Sequence, residues 1–214
     1  MIDSLYRSKQ DAFWDRLGGV LARRGVSPDA VTKGAFLLST LNSFAFLVHR
    51  NFLAYGLLLA MTELLDNLDG AVARVSGRKT RYGAFLDAAT DRYKESLSLF
   101  VVAWVTGYWV ACFAAVTGSL LTSYNRARAA VEGAQAAATG LDLFERFERV
   151  ATLVLGLVLS PLLPPSLFLG RDALWGALVL IGILSHLTSV QRVWRARRVL
   201  RELDRGSSSP FPRA

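Results

Sequence analysis

The sequence predicts an all-α integral membrane protein, with six transmembrane helices behind an N-terminal amphipathic helix lying in the membrane interface. Three observations lead there. Apolar residues make up 52% of the 214-residue chain, and the mean hydropathy is +0.33, above the roughly 45–50% apolar share of soluble domains. The apolar excess falls into blocks long enough to cross a hydrocarbon core, which takes about 20 helical residues. The formal charge of +8 is concentrated at the ends of those blocks, which suits anionic lipid and phosphate better than nucleic acid.

The elements follow in order. Ile2, Leu5, Tyr6, Phe13, Trp14, Leu17, Val20 and Leu21 recur at helical spacing, with Arg7, Lys9, Arg16, Arg23 and Arg24 among them. This reads as an amphipathic interfacial helix, with a helix packed against protein as the alternative. No apolar signal-peptide core is evident in the first 28 residues. Spans are expected at 31–48, 52–75, 82–106, 108–127 and 148–163, and from 173 past 190 into a basic tail. Arg50 and Arg171 are the only Lys or Arg residues in the loops this count places outside. The N-terminal region, the 77–81 turn, the 128–147 connection and the tail then face the cytoplasm of a cell membrane. The basic stretch 192–205 suits an anionic leaflet. One domain is expected over 1–206, and the Ser- and Pro-rich 207–214 is expected to be a disordered tail. Cys112 is the single cysteine, so it forms no intrachain disulfide. It reads as a small buried apolar residue, and His49 and His186 read as boundary or packing residues.

The second and third spans break the apolar rule. Asp66, Asp69 and Arg74 lie on one side of a short polar turn, Ser76 to Arg81, and Asp87, Asp91, Arg92, Lys94 and Glu95 on the other. Ionisable residues near a bilayer mark functional sites by default. Asp66 and Asp69 share one helix face, as do Asp87 and Asp91, and the short turn makes the two helices antiparallel neighbours. At about 1.5 Å rise per residue the carboxylates stand at similar depth. They cannot all stay ionised side by side without cations. Arg74 and Arg92 are one source of positive charge, and a divalent metal pair is the other. Oxygen-only ligands favour Mg²⁺ or Mn²⁺.

The pattern Asp66-x2-Asp69-Gly70-x2-Ala73-Arg74-x8-Gly83-x3-Asp87-x3-Asp91 resembles the hallmark of the CDP-alcohol phosphotransferases, with every fixed position present. The resemblance implies six spanning helices, a homodimer, and transfer of a phosphoalcohol group from a CDP-linked donor to an acceptor hydroxyl with release of CMP. It implies that Asp66, Asp69 and Asp87 hold two divalent ions, Mg²⁺ or Mn²⁺. Asp91 would complete the cluster and act as general base. It further implies a CDP-lipid site of Asp29, Thr32, Gly70, Arg74 and Thr80. Ser27 or Asp29 also suits a helix cap, with Pro28 in the first turn.

For the acceptor, three more elements count: Ser123-Tyr-Asn-Arg126-Ala-Arg128, Glu145-Arg146-Phe-Glu148-Arg149 and Gln191-Arg192. Convergent arginines suit a phosphorylated acceptor; positive-inside anchoring is the plainer explanation. These elements resemble the phosphatidylinositol-phosphate synthase branch, with Arg126 in place of Lys and Phe147 in place of Pro. That implies Arg126, Arg149 and Arg192 on the phosphate of inositol 1-phosphate, and a donor built on diacylglycerol or archaeol. The alternatives are another acceptor (glycerol 3-phosphate first, then inositol or serine), a cation-coupled transporter, or a purely structural membrane protein.

Overall fold

The computed structural model describes residues 2–135, 142–164 and 170–206, with side chains from Phe13 onward. Every extended element among them is a helix: α1 Ile2–Arg23, α2 Pro28–His49, α3 Phe52–Val75, α4 Arg81–Thr106, α5 Trp109–Val131, α6 Arg146–Leu159 and α7 Ala173–Gly206. They gather into two compact units, one ending at Val105 and the other beginning at Thr106. The expected tail at 207–214 and the side chains of Ile2, Leu5, Tyr6, Arg7 and Lys9 lie outside the described residues.

In the first unit, α2 opens on a cap legible in sequence. Ser27 is extended, its Oγ accepts from the Ala30 N–H at 3.2 Å, and Pro28 takes the first helical position. Arg50, in the left-handed region at φ 49°, ends α2 by donating its N–H to the Phe46 carbonyl. Asn51 then caps α3 through the Ala54 N–H at 3.0 Å. Two residues thus join α2 to α3. The Phe46 and Tyr55 rings stack at 4.2 Å inside this hairpin, both fully buried.

α3 is packed by α2 and also by α1. Gly18 permits the second contact: a Cβ there would lie 2.8 Å from the backbone of Ala71. On α1, Phe13, Leu17 and Val20 stand at i, i+4 and i+7 and are exposed. The helix therefore rests on α3 through its glycines while an apolar row faces outward.

In the second unit, α7 packs on α5 and α6. Gly118 lies so close to α7 that an added Cβ would meet Ser185 at 2.8 Å. Thr122 Oγ1 donates to the Ser185 carbonyl at 3.0 Å and Asn125 Nδ2 to Ser189 Oγ at 2.9 Å. Cys112 is buried and free. His49 Nδ1 accepts from the Asn51 N–H at 2.9 Å, a helix-end role.

Among the described residues, two helices are long and apolar enough to cross a membrane, Pro28–His49 and Ala173–Arg205, with mean hydropathy 1.4 and 1.8. Leu37, Leu41, Phe44 and Val48 of α2, and Leu180, Ile183, Leu187 and Val190 of α7, face out. By length and composition alone the other expected spans fall short for local reasons. Glu63, Asp66 and Asp69 interrupt α3, and α6 has 14 residues against the about 20 a perpendicular span needs.

Candidate active site

The polar ends of α2, α3 and α4 enclose a cavity of about 290 Å³, near the lower end of the roughly 300–1,000 Å³ of ligand pockets. Asp69, Gly70, Ala73 and Arg74 line it from α3, Gly83 and Asp87 from α4, and Asp29 and Thr32 from α2; Thr80 closes the turn side. Each element presents its residue for a local reason. Ser27 sets the start of α2, so Asp29 and Thr32 fall in its first turns. Thr80 Oγ1 accepts from the Gly83 N–H at 2.9 Å and so caps α4. Thr32 Oγ1 donates to Asp69 Oδ2 at 2.6 Å, tying α2 to the carboxylate helix.

Gly70 is informative. A Cβ added there meets only Arg74, at 3.6 Å, an ordinary contact. No described residue crowds that position, and the missing side chain enlarges the cavity. Arg74 also lines it, with its guanidinium held by Asp15 of α1 through Nε at 3.0 Å and Nη2 at 2.8 Å. Arg78 and Lys79, two exposed turn residues, add cations to the rim. Sequence reasoning placed Thr80 of that turn in the donor site but counted Arg78 and Lys79 only as charge on the cytoplasmic side.

Behind the cavity the charges interlock. Lys94 of α4 is 2% exposed, and its ammonium contacts Asp66, with Asp91 Oδ1 at 3.3 Å and Glu63 at 4.0 Å. Asp69 lies near enough to Asp66 and Asp91 for both charges to act on it. Asp66 and Asp91 thus share the Lys94 ammonium, while Asp69 and Asp87 line the cavity. Among the described residues no three acidic, His or Cys side chains converge on a single ion position; the cation that Asp66 and Asp91 share is an ammonium. The donor chemistry nevertheless suits a hard divalent ion: carboxylates come from two helices, and Asp69 and Asp87 open onto a cavity rimmed by Arg74, Arg78 and Lys79. Lys94 stands three residues after Asp91 and Glu63 three before Asp66, so helical spacing placed both near the cluster, a signal the motif obscured. Arg92 instead pairs with Glu95 at 3.1 Å.

The arginines belong to the second unit. Arg126 is exposed on α5, while Arg149 on α6 and Arg192 on α7 are buried, 3% and 8% exposed. The two glutamates of Glu145-Arg-Phe-Glu148-Arg149 form a reciprocal capping box: each side chain accepts the other's backbone N–H. The box fixes the first turn of α6 and so the place of Arg149. Arg192 donates to the Thr122 carbonyl at 2.6 Å and, with Arg195, to the carboxylate of Asp142. Burial by itself would raise the Asp142 pKa, but the hydrogen bonds and charges of Arg192 and Arg195 outweigh it and hold the carboxyl below its usual value. Sequence reasoning passed over Asp142, a lone loop acid with no periodic partner.

Residues 25–190 match the family model for CDP-alcohol phosphatidyltransferase. The archaetidylinositol phosphate synthase of Pyrococcus horikoshii is 35% identical over 188 residues, covering 87% of this chain and 92% of that protein. Among solved structures, the Mycobacterium tuberculosis phosphatidylinositol phosphate synthase with CDP-DAG bound aligns with TM-score 0.75 and 27% identity, over 86% of this chain and 92% of its own. The same enzyme in complex with manganese and citrate aligns at 0.76 with 27% identity, over 86% and 88%. The chain belongs to the CDP-alcohol phosphatidyltransferase family.

Proposed function

We propose that this protein transfers a phosphatidyl-type group, diacylglycerol- or archaeol-phosphate, from a CDP-lipid to a hydroxyl of inositol 1-phosphate, releasing CMP. The observation that carries the reading is the cavity itself. Six of the eight fixed motif residues line it, together with Asp29, Thr32 and Thr80. The acceptor follows from the relatives, named for archaetidylinositol phosphate and phosphatidylinositol phosphate, and from buried arginines whose charge suits a phosphorylated polyol.

The chemistry divides among the residues. The bare backbone at Gly70 admits the cytidine part of the donor, Asp29, Thr32 and the Thr80 hydroxyl bind it, and Arg74, oriented by Asp15, faces the phosphates. Asp66, Asp69, Asp87 and Asp91 would hold two divalent ions, Mg²⁺ or Mn²⁺, whose contribution is charge neutralisation and Lewis-acid polarisation at the phosphorus. Asp91 takes the proton of the attacking hydroxyl. A bond forms between that oxygen and the lipid-bearing phosphorus, and the bond from this phosphorus to CMP breaks. Arg126, Arg149 and Arg192 hold the acceptor phosphate. The reading also includes six spans, a single domain over 1–206, a homodimer, and a site open to the cytoplasm of the cell membrane. The family match running across both units supports the single domain.

CMP release by purified protein in detergent tests the function. The assay compares inositol 1-phosphate, inositol, glycerol 3-phosphate and serine, with Mg²⁺ or Mn²⁺ and with EDTA. Release is expected with inositol 1-phosphate and not with EDTA. Equal release with unphosphorylated inositol would remove the role given to the arginines. Preference for glycerol 3-phosphate would move the protein to a neighbouring activity.

A further inference from the structure

Asp142 belongs to no motif, yet its side chain is 2% exposed and two arginines hold it. Arg192 donates to Oδ2 through Nε at 3.1 Å and also through Nη2, and Arg195 donates to Oδ1 at 3.1 Å. Arg192 Nη1 donates to the Thr122 carbonyl of α5. The neighbouring Leu143 gives its N–H to Gln191 Oε1 at 3.0 Å. Two consecutive loop residues are thus docked on two consecutive residues of α7. Two residues further on, Glu145 begins the capping box that places Arg149.

A guanidinium carries five N–H donors in a rigid plane. Asp142 and the Thr122 carbonyl engage three on Arg192, leaving one on Nη1 and one on Nη2, enough for an oxyanion fork. A carboxylate fixed on the Nε edge and a carbonyl on Nη1 allow that fork one orientation. Breaking a buried ion pair leaves an uncompensated charge, so the carboxylate stays when phosphate arrives rather than yielding its place.

We propose that Asp142 is a positioning residue of the acceptor site. It turns Arg192 so that its remaining Nη donors meet the acceptor phosphate, and it anchors the loop that leads to Arg149. This rests on the assignment of Arg192 to the acceptor under the proposed function.

The test is a split of Michaelis constants. CMP release is followed with inositol 1-phosphate varied at saturating CDP-lipid, then the reverse. In Asp142→Asn, which keeps the shape and loses the charge, the acceptor KM rises about tenfold, the weight of one charge-assisted hydrogen bond. The donor KM moves less than about twofold, and Asp142→Glu recovers part of the loss. An unchanged acceptor KM overturns the proposal. So does a lowered one, because it means that phosphate displaces the carboxylate. An equal rise in both constants overturns it as well, because it marks general loosening. Should Asp142→Asn fail to fold, Arg195→Gln removes the hydrogen bond to Oδ1, and the acceptor KM must rise there too, by about threefold, or the proposal falls. Wild-type enzyme inert toward inositol 1-phosphate fails the functional reading itself. Active wild type with an unchanged variant fails only Asp142.

Discussion

The two units solve opposite charge problems. The first gathers carboxylates and places one ammonium, Lys94, among Asp66, Asp91 and Glu63. The second gathers arginines and places one carboxylate, Asp142, between Arg192 and Arg195. In each, an opposite charge stands among like charges, because isolated charges are too costly to bury. The two differ in what the single charge sits beside. Lys94 stands among residues proposed to hold metal ions and perform the chemistry, while Asp142 stands behind residues proposed to grip a substrate. A charge removed from the first region should therefore act on turnover or on the metal-free fold, and one removed from the second on acceptor affinity.

The largest break comes from Asp91→Asn. With the proton acceptor lost, kcat falls by about 10²–10⁴-fold, while CDP-lipid binding, measured by thermal shift, persists. Wild-type turnover in this variant would remove Asp91 from the chemistry. Next comes Lys94→Met, which leaves three carboxylates without their ammonium. In EDTA the protein loses about 3–5 kcal/mol of stability, and Mn²⁺ restores more of the melting temperature than it adds to wild type. If the EDTA melting curve is unmoved, Lys94 is a bystander. Third is Arg149→Ala, for which the acceptor KM rises about 10–100-fold and the donor KM little, since charged hydrogen bonds contribute about 1.5–3 kcal/mol. A rise confined to the donor would move Arg149 to the other pocket.

The smallest effect is on pH. The Asp142 carboxyl lies below its unfolded value in the folded chain, because Arg192 and Arg195 outweigh burial. A depressed carboxylate contributes stability that is fully present above the unfolded pKa of about 3.9 and is lost as pH falls through the folded value. Melting temperatures of wild type should therefore drop below about pH 4 more steeply than those of Asp142→Asn. Parallel curves would mean that the pair does not contribute to stability.

The two regions were also unequally legible. The bounds of α3 are those the apolar block and its polar turn implied. The start of α2 could be read from Ser27-Pro28, since capping is local chemistry. The gathering of Asp69, Gly70, Arg74 and Asp87 on one cavity followed from helical spacing across one short turn. Helix ends were less visible where polarity and helicity part company. α5 runs to Val131 and α7 to Gly206 because arginines sustain a helix beyond its apolar part. α6 begins at Arg146 because its capping box lies before the apolar run. Asp142 was invisible: its partners are 50 and 53 residues away, and no periodicity links a loop acid to a distant helix. Asp15, the partner of Arg74 across 59 residues, was hidden for the same reason.

The buried ammonium has a consequence for how such a chain is made. The newly made chain must bury Asp66 and Asp91 before any ligand arrives, and a lone buried carboxylate would favour staying in water. Lys94, one turn along the same helix as Asp91, travels with its partner through biosynthesis and insertion. The polypeptide thus carries its own counter-ion, and under the proposed function its assembly would not wait on metal.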